Sequence, residues 1–128
     1  MSYKFTLPIF GVTKKGSINV NWYRNVNFHA SNTAKKKFKA MIQEQLDSCD
    51  LFSPPLKLRY TFYAKHNNSP DLDNFIGTVK KFFQDAIVEH GLIPDDNVHY
   101  IIGSSESYGG IDKENPRVEV EVIEVQNT

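Results

Sequence analysis

The chain has 128 residues, with 15 Lys and Arg against 15 Asp and Glu, so it is formally neutral; its size suits one domain with a real core rather than two. Neutrality argues against a protein that holds nucleic acid merely by being basic. The single cysteine, Cys49, excludes an internal disulfide and a thiolate metal site and is expected to be a small buried apolar residue. The opening Met-Ser-Tyr-Lys-Phe lacks the apolar run of a secretory signal, and no stretch is long and apolar enough to cross a bilayer, so a soluble cytoplasmic protein without membrane contact is expected.

Charge is unevenly spread along this neutral chain. Up to Gln43 every charged side chain is basic: Lys4, Lys14, Lys15, Arg24, Lys35, Lys36, Lys37 and Lys39. The carboxylates gather in the later two thirds, so a fold that keeps the populations apart sets a cationic surface beside an acidic one. Such an arrangement suits an enzyme that grips phosphates and holds cations; a merely solvated lysine face is the competing explanation.

Taken in order, Tyr3, Phe5, Leu7 and Ile9 alternate with polar residues, the period of a half-buried strand ending at Pro8. After turn residues from Gly11 to Gly16, alternation resumes at Ile18, Val20 and Trp22, which predicts a second strand or an extended arm. The tract from Asn21 to Asn25 mixes aromatics, amides and Arg24; it suits base stacking and phosphate contact, although ordinary packing accounts for an aromatic pair more often. Ser31 or Asn32 is expected to cap a helix carrying Ala34, Phe38, Met41, Ile42 and Leu46 at helical spacing. Lysines in its early turns oppose the helix dipole, which hints at a charged partner.

Ser53-Pro54-Pro55 stops that helix, and Leu56, Leu58, Tyr60, Phe62 and Ala64 form the clearest strand, with Lys57 and Arg59 on its outer face. A polar loop from Lys65 leads to Ser69-Pro70-Asp71-Leu72-Asp73-Asn74. From Leu72 onward, Phe75, Ile76, Val79, Phe82, Phe83, Ala86 and Ile87 make one amphipathic stripe, stopped by Gly91. Asp95-Asp96 follow in a turn. Strands are predicted at Val98 to Ser104 and Arg117 to Val125, separated by a Gly-rich loop from Tyr108 to Ile111. The expected fold class is α+β: two layers, a mixed β-sheet backed by two main helices.

Asp71 and Asp73, two residues apart in an extended approach to a helix, turn their carboxylates to one side. Hard divalent cations take oxygen ligands, usually one or two carboxylates with water and substrate phosphate completing the shell. With Asp96, and Asp95 beside it, such acids would hold metal for phosphodiester hydrolysis, provided the two ends of the long helix segment fold toward each other. Helix capping and turn formation explain each acid separately. An EF-hand loop is excluded, because its required glycine and acid positions hold Ile76 and Phe82. The histidines have no zinc spacing, although His66 stands near enough in sequence to Asp71 to touch a bound phosphate.

Asp71-Leu72-Asp73-Asn74, Asp85-Ala86-Ile87 and Gly91-Leu92-Ile93-Pro94-Asp95-Asp96 together resemble the signature of the RusA-type Holliday junction resolvases, enzymes often carried by phages and prophages. The likeness extends to Tyr3–Pro8, Asn21–Arg24 and the closing valine-rich strand. It implies a homodimeric, Mg²⁺-dependent endodeoxyribonuclease that nicks opposed strands of four-way branched DNA in recombination and repair, with Mn²⁺ as a possible substitute and no organic cofactor. By motif position it puts Asp71, Asp73 and Asp96 on the catalytic acids, Asp95 being the less critical neighbour. The family's lysine position one turn after the second aspartate is Gly77 here, which keeps a catalytically inactive, junction-binding module as the alternative.

Counting back from the helix end puts Lys81 in the lysine's place. At about 100° per residue, Lys80 lies about 20° around the helix from Asp73 and Lys81 about 80°, which favours Lys80 near the metal and leaves Lys81 as an i+4 partner of Asp85; Lys65 is a further candidate. Lys14, Lys15, Arg24, Lys35, Lys36 and Lys65 are the expected DNA contacts.

Overall fold

The computed structural model describes residues 2–14, 16–67 and 71–125. Lys15, Ser69 and Pro70 lie outside the described residues. Eight elements follow one another: β1 Ser2–Pro8, α1 Val20–Asn25, α2 Phe28–Met41, α3 Gln43–Asp47, β2 Leu56–Ala64, α4 Leu72–Glu89, β3 Ile101–Ile111 and β4 Arg117–Glu124. The strands form one sheet in the order β1-β4-β2-β3. β4 runs antiparallel to both β1 and β2, while β2 and β3 are parallel, so the sheet is mixed and the fold is α+β, as its patterning predicts.

Alternation decides which face of the sheet is covered. Phe5 and Leu7 of β1, Val118, Val120 and Val122 of β4, and Leu56, Leu58, Tyr60, Phe62 and Ala64 of β2 are all buried. They meet Phe38 of α2, Ile42 between α2 and α3, Leu46 of α3, and Ile76, Val79, Phe82, Phe83, Ala86 and Ile87 of α4. Phe83 sits at the middle of this layer, edge-on to Phe5 at 5.0 Å and to Tyr60 at 6.4 Å, where each fully buried side chain contributes about 1.5–3 kcal/mol. Burial pushes the Tyr60 hydroxyl pKa up. Cys49 is half-buried rather than buried, its thiol donating toward the Gln45 carbonyl at 3.4 Å.

Four boundaries differ from the sequence reading. Ile18 to Trp22 is not a strand: Asn19 caps α1 by accepting the Trp22 N–H at 2.8 Å, and the helix lays Trp22 and Tyr23 edge-on against Phe82 of α4. Tertiary packing there overrides the β-preference of Val20 and Trp22. The cap of α2 is Asn27, accepting from Ala30 N–H at 2.8 Å, and Ser31 and Asn32 lie inside the helix. The helix also breaks at Ile42, whose φ/ψ of −107/11 separates α2 from α3. Finally, β3 starts at Ile101 rather than Val98 and runs through the glycines at 109 and 110. A side chain at Gly109 would come within 2.6 Å of the Tyr63 ring, so glycine lets the edge strand pass Tyr63 instead of marking a loop.

Candidate active site

The Asp71 backbone is extended, and the residue caps α4 through Oδ1, which accepts the Asp73 N–H at 3.1 Å. Asp73 lies in the first turn of α4. Both carboxylates are exposed and open into one cleft of about 410 Å³, whose other walls are Asn74 and, from α1, Val20, Asn21 and Arg24. The cleft is closed by a bridge between the helices, in which Asn21 N–H donates to Asn74 Oδ1 at 3.1 Å. Capping and pairing are therefore compatible: Asp71 uses one oxygen for the backbone and keeps the other. Among the described residues Arg24 makes no hydrogen bond or ion pair, so its guanidinium is free beside the two acids.

Asp95 and Asp96 are not part of this cleft. With 18 residues in α4 and a rise of about 1.5 Å per residue, the first pair and the second stand about 27 Å apart along the helix. Asp95–Asp96 belong to an exposed turn held by its own side chains: Asp95 Oδ1 accepts Asp96 N–H at 2.7 Å, and Asp95 Oδ2 accepts the Asn97 amide at 2.9 Å. The turn packs at the opposite end of the sheet, where Phe52 N–H donates to Leu92 O and Leu56 N–H to Tyr100 O. The two ends of α4 do not fold back on each other, and no group of three metal-ligating side chains forms among the described residues of one chain.

The lysines are placed differently from the helical-wheel expectation. Lys80 Nζ is 2.7 Å from Glu106 Oε1 and 2.8 Å from Ser104 Oγ, lying across β3 and 5.8 Å from the Tyr60 ring centre. Lys81 is exposed, and Asp85 does not pair with it; Lys35 of α2 takes Asp85 at 2.8 Å. That hydrogen bond raises the Lys35 pKa against partial desolvation. Lys35 thus ties α2 to α4, while Lys14 and Lys36 are exposed. Lys65 stands 5.3 Å over the Phe10 ring, beside His66 in a separate small pocket.

Gly77 has a steric reason of its own. A Cβ at this position would lie 2.7 Å from Val20 Cγ2, so α1 occupies the space that any side chain one turn after Asp73 would need. What the sequence reading missed is this role of α1, which brings Val20 and Asn21 to the acids; the available signal was Asn19, three residues before the N–H that it caps.

The family described as Endodeoxyribonuclease RusA matches residues 12–123. The chain belongs to this family. Its members are endodeoxyribonucleases that resolve Holliday junctions and depend on metal, and the matched span contains every element except β1 and the last residue of β4. No curated protein matches the chain. Among the described residues, no helix is long and apolar enough to cross a membrane.

The donor set fits the metal that the RusA family implies. Two carboxylates at one cleft leave room for water and a substrate phosphate in the shell of a hard divalent cation. Held by Asp71 and Asp73, such an ion would supply charge neutralisation of the phosphoryl oxygens and an acidified water. The chain's own contribution at this end is to fix the two acids through the α4 cap and the Asn21–Asn74 bridge, with Arg24 on the facing wall of the same cleft.

Proposed function

We propose that the protein is a one-domain, Mg²⁺-dependent, homodimeric resolvase of four-way DNA junctions, in which each active site combines Asp71 and Asp73 of one subunit with Asp96 of the other. The observation that carries this reading is the separation of the two acidic elements at opposite ends of α4. A two-fold axis running across that helix sets the N-terminal end of one copy beside the C-terminal turn of its mate, and does so twice. Two such sites suit the approximate two-fold symmetry of a four-way junction, and a lone subunit would be inactive. Arg24, Lys14 and Lys36 are exposed cations available to position phosphates, which carry most of the affinity in DNA binding without specifying sequence. Mn²⁺ would substitute, since oxygen ligands accept it.

The test is complementation. Asp73→Asn and Asp96→Asn subunits carrying different tags are co-expressed and the mixed dimers isolated. In a shared arrangement one site of each mixed dimer keeps all three acids, so these dimers nick a synthetic junction in Mg²⁺ while either variant alone does not. Mixed dimers as inactive as the parents would refute the sharing. Wild-type protein that binds the junction and never nicks it under any divalent cation would instead support the inactive binding module.

A further inference from the structure

We infer that Phe28 is a stacking residue, a ring on which a base at the branch point of the DNA substrate lies once it leaves its helical stack. This rests on the branched-DNA reading and names a side chain that tells a junction from continuous duplex. All nine phenylalanines of the chain are among the described residues, and Phe28 is the one that is exposed, at 77%.

The ring stands outside the core because α2 is fixed in place without it. Asn27 caps the helix by accepting the Ala30 N–H at 2.8 Å, Ala34 and Phe38 are buried in the core, and Lys35 is tied to Asp85 of α4 at 2.8 Å. At about 100° per residue, Phe28 stands about 120° round the helix from Ala34 and about 80° from Phe38, so the core does not cover it. The aromatic residues just before it are used differently: Trp22 and Tyr23 lie edge-on against Phe82. Phe28 meets the ring of the exposed His29 at 5.9 Å.

Charge and position select nucleic acid as the occupant. No carboxylate precedes Glu44 in the sequence, and the ring lies between Arg24 and the exposed Lys36 and Lys37; a stretch of that sign attracts a polyanion. Arg24 also lines the cleft of Asp71 and Asp73, and the four residues from it to Phe28 span at most about 14 Å. At about 3.4 Å per nucleotide along one strand, the ring is within about four base steps of the cleft wall. Every base has a π-face, so an exposed ring takes a free base whatever its sequence. In continuous duplex both faces of each base are already stacked, whereas a base at an interrupted stack costs least to extrude. The ring therefore adds affinity for a branch point and little for duplex.

The experiment compares wild type, Phe28→Ala and Phe28→Trp on a synthetic four-way junction carrying 2-aminopurine at the branch point, and on linear duplex of the same sequence, without divalent cation. Phe28→Ala should bind the junction roughly tenfold more weakly, keep its duplex affinity, and lose the change in 2-aminopurine emission that marks a base leaving its stack. Phe28→Trp should keep the junction affinity. Unchanged junction affinity and emission in Phe28→Ala overturn the inference, as does an equal loss on junction and duplex. A change in sedimentation with no change on DNA assigns the ring to a protein surface and overturns it too. Wild-type protein that nicks the junction while Phe28→Ala binds and reports like wild type leaves the resolvase reading standing and rejects this residue. The expected Phe28 effects in a protein that nicks under no divalent cation do the opposite.

Discussion

The two ends of α4 carry the same chemistry in different settings. At the N-terminal end, Asp71 and Asp73 open into a cleft walled by a second helix, with an asparagine bridge joining the two helices and Arg24 on the facing wall. At the C-terminal end, Asp95 and Asp96 occupy an exposed turn, and the hydrogen bonds of Asp95 stay within three residues. The first pair faces another helix across its cleft, whereas Asp95 spends its hydrogen bonds inside its own turn. A pair of carboxylates held in a preformed cleft needs little reorganisation when a cation and a phosphate arrive; a single exposed acid acts only when something brings it to that cleft. In the shared-site proposal, a second subunit is what would bring the exposed acid to the cleft.

The sharpest way to break this contrast is to neutralise each end in turn. Asp73→Asn should lower single-turnover cleavage of a synthetic junction by roughly a hundredfold or more, since the charge that holds the ion is lost. Binding in gel shift should persist or strengthen, because a negative charge near phosphate is gone. Asp95→Asn should change the rate far less than Asp96→Asn, since Asp95 spends both carboxylate oxygens on its own turn. Equal losses at Asp95 and Asp96 would mean that the turn's shape, rather than one carboxylate, is what matters.

The wall of the N-terminal cleft is tested at Gly77. Gly77→Lys puts a side chain where Val20 Cγ2 stands, and overpacking of this kind costs about 1–3 kcal/mol. Denaturant unfolding should report that loss, and adding Val20→Ala should recover most of it. An undiminished midpoint for Gly77→Lys alone would show that α1 is not fixed over the acids. Lys80 gives a smaller effect: its ion pair with Glu106 is about one-third exposed, so Lys80→Met should cost no more than about 1 kcal/mol of subunit stability. The cleavage rate should be unchanged, because the Lys80 ammonium lies on β3 and not in the cleft of Asp71 and Asp73.

Much of the fold is legible in the sequence, where pattern and chemistry coincide. The alternation of Leu56 to Ala64 and the stripe from Ile76 to Ile87 each bury one face, so period alone located β2 and α4. The placing of Asp71 and Asp73 at one cleft is legible from their spacing. Illegible was everything set by contact between distant segments. Val20 and Trp22 read as strand because β-branched and aromatic residues alternate there, but Phe82 offers α1 a surface that a strand would not cover. Lys80 faces Asp73 on a helical wheel, yet a wheel has no β3 in it, and Glu106 and Ser104 take the ammonium instead. The glycines at 109 and 110 read as a loop because the passage of Tyr63 beside Gly109 depends on the sheet order.

The smallest effect expected lies inside α4, midway between the ends. Thr78 is 2% exposed, and its Oγ1 has no hydrogen-bond partner among the described residues. A hydroxyl removed from water without a partner loses its hydration and gains nothing in return. Valine has nearly the same shape and no such atom. Thr78→Val should therefore stabilise the fold by about 1 kcal/mol, read as a higher denaturant midpoint at an unchanged slope. Because the residue touches neither acidic end, cleavage should stay at the wild-type rate. A destabilised variant would show that the hydroxyl has a partner in solution, such as the helix carbonyl one turn back. If stability rose while cleavage fell, α4 would be more than a rigid spacer between its two ends.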